Sequence, residues 1–180
     1  RVVTALQINR GSSVGLAQNS SLSISESVAT SGGSINLSTG SRVAVAGGLD
    51  ASESSSISVG GSSNIAVTGN TTVRSNSQVD VSGEGADLML SGSLGVDNSS
   101  SVRVGNSGNL QVTGSLGVGS SSQVSVSQGS NLTLSGALAV SEGSSVDVSS
   151  GSSASVSSVN VTRGSAFNVN QGSVRVGGNL

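Results

Sequence analysis

Asp80, Arg103 and Asp147 are the residues best placed to do chemistry together, because each sits between two valines in a short alternating segment: Val79-Asp80-Val81, Val102-Arg103-Val104 and Val146-Asp147-Val148. Carboxylates grouped beside a cation are equipment for acid–base cleavage of glycosidic bonds. The rest of the inventory gives them little support. The chain has no His and no Cys, which excludes the usual zinc ligands, a thiol nucleophile, a disulfide framework and a Ser-His-Asp triad. All seven basic residues are Arg, the net charge is -2 and only 1% of residues are aromatic, so a nucleic-acid groove would lack both cationic density and stacking platforms. The nine acidic residues are dispersed, without an EF-hand loop or a Gly-Gly-x-Gly-x-Asp repeat to group oxygen ligands for calcium. Gly83-Glu84-Gly85 matches Gly-x-Gly, with no helix after it to meet a phosphate. No cofactor or metal is expected.

The elements that would position these residues follow from spacing. Serine and glycine dominate the chain, a composition shared with flexible linkers. Yet 33% of residues are hydrophobic, almost all Val, Leu, Ile and Ala, which disordered chains lack. The aliphatic residues come as pairs with one residue between, the period of a strand. Three pair types, A, B and C, alternate. A pairs begin at Leu6, Val28, Leu49, Thr71, Leu94, Leu116, Leu138, Val159 and Leu180. B pairs begin at Val14, Ile35, Ile57, Val79, Val102, Val124, Val146 and Phe167, and C pairs at Leu22, Val43, Ile65, Leu88, Leu110, Leu132, Ala154 and Val174. Each type recurs about every 22 residues, and a fixed period in this range marks a solenoid. The sequence therefore predicts an all-β fold, a parallel β-helix (β-solenoid) of about eight coils with three short strands per coil, stacked about 4.8 Å apart in three parallel sheets. Right-handed winding is expected from the parallel crossover rule.

Between C and A pairs lie short corners with a central glycine, such as Thr68-Gly69-Asn70, Ser91-Gly92-Ser93, Thr113-Gly114-Ser115 and Ser135-Gly136-Ala137, with Gly47 and Gly178 in the same place. A positive φ angle is the simplest reason for glycine there. Ser25-Glu26-Ser27 lacks the glycine and Ser157-Ser158 is one residue short, so both should be distorted. There is no helix pattern, linker or apolar run long enough to span a bilayer, so residues 1–180 read as one domain without a membrane span. No leader is recognisable and neither end shows a polar cap, which predicts a segment of a longer solenoid or a subunit whose ends stack on neighbours.

In such a solenoid the middle residue of each pair points outward. Asp80 and Arg103 become neighbours one coil apart, within reach of an exposed ion pair, while Ser125 separates Arg103 from Asp147. Asn64, Asp87, Asn109 and Asn131 each precede a C pair and should stack as a polar ladder. Face A carries small residues, and Ala29, Gly95, Gly117 and Ala139 form the candidate surface for lateral packing between rods. Ice binding would require regular ranks of Thr, and only Thr72 on A and Thr133 on C fit. Sequons at Asn19, Asn36, Asn70, Asn98, Asn131 and Asn160 are close to what chance gives in so Ser-rich a chain.

With pairs such as Leu94-Gly95-Val96, Val102-Arg103-Val104 and Leu110-Gln111-Val112 between Ser/Gly/Asn corners, the whole chain resembles the β-helical stalks of bacterial surface adhesins, meaning autotransporter passenger domains and filamentous haemagglutinin-like proteins. The likeness is one of repeat style and carries over no functional residues. It implies an extracellular or cell-surface location and a structural or adhesive role. The expectation is a non-enzymatic fibre subunit or stalk that associates with copies of itself end to end and laterally. A passenger that binds glycans or surfaces is the alternative, and a polysaccharide-cleaving β-helix enzyme a more distant one.

Overall fold

The computed structural model describes residues 2–178. Their regular structure is strand throughout, in pieces of two to ten residues, and every strand pairing is parallel to its equivalent one coil away. On the A side, Leu94, Gly95 and Val96 lie in register with Leu116, Gly117 and Val118. On the B side, Val102 and Val104 match Val124 and Val126. On the C side, Leu88 and Leu90 match Leu110 and Val112. The result is a β-solenoid wound with the spacing of the aliphatic pairs. The ninth A pair, expected to begin at Leu180, lies outside the described residues.

Two hydrogen-bonded sheets replace the expected three. The B strands form an eight-stranded sheet from Ser13–Leu16 to Ala166–Asn170. The C and A strands join in one fifteen-stranded sheet, because Asn131–Val140 runs unbroken around the corner at Gly136. An additional short strand, Val2–Val3, pairs with Ser21–Ile24.

The alternation of the pairs dictates the core. Each pair residue points inward and stacks on its equivalent, so Val102, Val104, Leu116, Val124, Val126 and Val140 are all 0% exposed. Each such side chain withdrawn from water contributes on the order of 1.5–3 kcal/mol before the entropy cost of ordering it.

The corners are built differently from the sequence expectation. Gly47, Gly69, Gly92, Gly114 and Gly136 are not left-handed. They are required because backbone packs directly on backbone: a Cβ on Gly69 would stand 2.8 Å from the carbonyl carbon of Gly47. The same approach lets the Gly69 amide donate to the Gly47 carbonyl at 2.9 Å. At Glu26 the ladder survives without glycine, its amide donating to the Thr4 carbonyl at 2.7 Å. At the short corner a register shift falls between Leu134 and Ala137 where they face Ser153–Val161, and the Ser157 hydroxyl donates to the Gly136 carbonyl.

Left-handed backbone sits instead in the longer corners, largely on residues other than glycine. Ser54, Asn76, Ser99 and Ser121 have φ of 64, 60, 60 and 59°. The Ser54, Ser99 and Ser121 amides donate to the carbonyls of Ser75, Ser120 and Glu142, one coil on, at 2.8–3.0 Å. Directly after these residues comes a column of buried serines. The amides of Ser55, Ser77, Ser100, Ser122 and Ser144 donate to the hydroxyls of Ser77, Ser100, Ser122, Ser144 and Ser165 at 3.1–3.2 Å. A second column in the B-to-C corners is broken: Ser41 bonds Ser63, and Ser130 bonds Ser152. Ala86 and Gly108 occupy the intervening coils.

Candidate functional site

Outward side chains form columns parallel to the rod axis, one residue per coil, so any site is assembled from residues about 22 apart in sequence. On the C face, Asp87, Asn109, Asn131 and Ser153 are consecutive partners in register. The Asn109 amide Nδ2 donates to Asp87 Oδ1 at 2.8 Å, and Asn131 Nδ2 donates to Asn109 Oδ1 at 2.9 Å. The Ser153 hydroxyl then donates to Asn131 Oδ1 at 2.6 Å. All three bonds run in one direction and end on the Asp87 carboxylate, whose charge polarises the row. Asn64 is in register with Asp87, but among the described residues its side chain makes no bond to it. Ser153 is the member that pairing from sequence did not identify.

Beside this row runs a second column, Met89, Gln111 and Thr133, also in register. The two columns bound a groove of about 370 Å³ on the rod surface. Met89 is 41% exposed.

On the A face, the order Ala29, Asp50, Thr72, Gly95, Gly117, Ala139 follows the register. The small residues do not form one stripe. Thr72 Oγ1 donates to Asp50 Oδ1 at 2.8 Å and the Arg74 guanidinium pairs with Asp50 Oδ2 at 2.7 Å, which separates Ala29 from the other three. Gly95 and Gly117 are open outward, with nothing within 4 Å of a Cβ placed on either. The Thr72 hydroxyl is thus committed to Asp50, and Thr133 lies on another face, so the two form no common rank.

The B face carries Asp80, Arg103, Ser125, Asp147 and Asn168 in register. The expected Asp80–Arg103 ion pair is not formed. Adjacent Cα positions do not force exposed side chains together when solvation competes, and the ion pairs among the described residues are Arg74–Asp50 and Arg163–Glu142. Asp147 is the most engaged carboxylate. Partial burial pushes its carboxyl up, but hydrogen bonds from Asn168 at 2.7 Å, Gln123 at 2.9 Å and Ser145 at 3.0 Å together hold it below its ordinary value. Ser125 stands between it and Arg103, so the carboxylate–cation cluster that acid–base cleavage needs is not assembled here. Among the described residues no three His, Cys, Asp or Glu side chains are grouped to hold a metal ion.

Fold and surface together define a parallel β-solenoid repeat protein with polar ladders on its outer faces. Compared with known proteins, the chain matches no family model, no curated sequence and no solved structure.

Proposed function

We propose that this chain is a structural β-solenoid of an extracellular fibre or cell-surface stalk, non-enzymatic, and that its coils stack end to end on further coils of the same kind. The observation that carries this reading is the uniform stacking of the coils. Leu94 and Val96 lie on Leu116 and Val118, and these on Leu138 and Val140, all buried and all in parallel register, an arrangement that lengthens by simple repetition. Outward carboxylates are spent largely on neighbours one coil away, as at Asp50, Glu142 and Asp147, which favours a stiffened rod over a reactive groove. The repeat style shared with adhesin stalks supports the extracellular location.

Electron microscopy of the native assembly tests the reading. Continuous rods with a coil repeat of about 4.8 Å are expected. Short, isolated rods that adhere to cells or glycans would instead favour the second reading, an adhesive stalk, for which the groove beside Met89 is the supporting observation.

A further inference from the structure

We propose that the C face between Asp87 and Thr133 binds a linear, uncharged oligosaccharide lying along the rod axis. Two independent features coincide there. The first is apolar: Met89 is 41% exposed in the middle of the rod, whereas the other large exposed hydrophobics, Val2, Val161 and Val169, belong to the first and last described coils. The second is polar: the groove wall is the Asp87–Asn109–Asn131 row, each of whose amides spends one N–H inside the row and keeps the other. Gln111 and Thr133 complete the lining, and among the described residues their side chains have no protein partner. Around Asp147 and Asp50, by contrast, the polar groups satisfy one another.

The chemistry of the lining selects the ligand class. Amides and a hydroxyl both donate and accept, which matches sugar hydroxyls, and the thioether of Met89 offers an adaptable apolar surface to the C–H face of a ring. The charge in the groove is the carboxylate of Asp87, so an anionic chain is disfavoured. Lining groups repeat once per coil, about 4.8 Å, and a pyranose in an extended chain advances by about the same distance. One sugar then faces one coil, and the groove spans about three. This binding does not depend on assembly, because one rod carries the whole groove.

The test is titration of the full chain with a hexasaccharide of β-1,4-linked glucose, following the side-chain amide signals of Asn109, Gln111 and Asn131 and the Met89 methyl by NMR. These signals are expected to shift together and saturate. Binding should weaken about tenfold, a loss of about 1.4 kcal/mol, in Met89→Ala and in Gln111→Ala, outward residues whose replacement leaves the backbone spectrum unchanged. A hexasaccharide of galacturonate should bind more weakly, and Asp87→Asn should narrow that difference. Absence of any shift with the neutral chain, shifts spread equally over faces A and B, or tighter binding of the charged chain would each overturn the proposal. Failure of the rods to assemble would count against the fibre and leave this site standing.

Discussion

Gly114 lies directly on Gly92: its amide donates to the Gly92 carbonyl at 3.2 Å, and a Cβ on Gly114 would stand 2.7 Å from the Gly92 carbonyl carbon. The Ser93 hydroxyl, at 2.6 Å from that Cβ, can turn aside, but the Gly92 carbonyl carbon and the Ser93 amide nitrogen, both at 2.7 Å, are backbone, so a methyl group must push two coils apart. Gly114→Ala should therefore destabilise the solenoid by about 1–3 kcal/mol. Gly117, three residues later, faces open space, and Gly117→Ala should be neutral or stabilising by up to about 1 kcal/mol, since glycine weakens a strand. Denaturant unfolding of the two variants separates these outcomes. Equal effects would show that backbone contact is not what demands glycine at the corner.

Ser121 poses the opposite case, an L-residue held at φ 59°. Left-handed backbone costs a residue with a Cβ about 1–2 kcal/mol, offset here by the bond from its amide to the Glu142 carbonyl at 2.9 Å. Ser121→Gly keeps that bond and relieves the strain, while giving the unfolded chain more freedom. The balance should favour the folded state by up to about 1 kcal/mol, seen as a raised thermal midpoint. A lowered midpoint would mean that the freedom gained by the unfolded chain outweighs the strain relieved at this corner.

What could be read from the sequence divides along these lines. Pairs such as Val102 and Val104 announce themselves because burial on one side of a strand imposes strict alternation, and their recurrence places Asp87, Asn109 and Asn131 on one line. Glycine at the C-to-A corner is visible as a position, but composition alone does not distinguish a left-handed turn from a close backbone approach, and the common explanation is not the one realised at Gly69 or Gly114. The buried serine column was hidden in plain view. Ser55, Ser77, Ser100, Ser122 and Ser144 recur two residues before each B pair, yet the surrounding corner is also serine, so nothing marks the one that faces inward. Asp80 and Arg103 show the remaining limit: register follows from the repeat, whereas the rotamer of an exposed side chain is decided by solvent and by several competing neighbours.

Thr71 breaks the aliphatic A column between Leu49 and Leu94. It is 2% exposed, and its Oγ1 has no hydrogen-bond partner among the described residues. A buried hydroxyl without a partner costs about 1–3 kcal/mol. Thr71→Val keeps the shape and removes the unpaired group, so unfolding at higher denaturant concentration is expected, with an unchanged slope. Destabilisation by this variant would reveal a partner for the hydroxyl, such as a bound water.

Asp147 gives the solenoid a defined acid response. Burial opposes its ionisation, but the bonds from Asn168, Gln123 and Ser145 favour the carboxylate more, so its folded pKa lies below that of the unfolded chain. A group of this kind binds protons more readily when unfolded. Its contribution to stability is therefore full above the unfolded aspartate value of about 3.9 and disappears as pH falls through the lower folded value. Asp147→Asn cannot titrate, and it replaces one acceptor oxygen with a donor that faces the amide of Gln123 or Asn168. At pH 7 the variant should be less stable than the parent. Because the parent alone loses the carboxylate contribution in acid, the gap between their thermal midpoints should narrow from about pH 5 downward and be smallest near pH 2. A gap that stays constant over this range would mean that the three hydrogen bonds do not favour the charged form, and that Asp147 fills its place through shape alone.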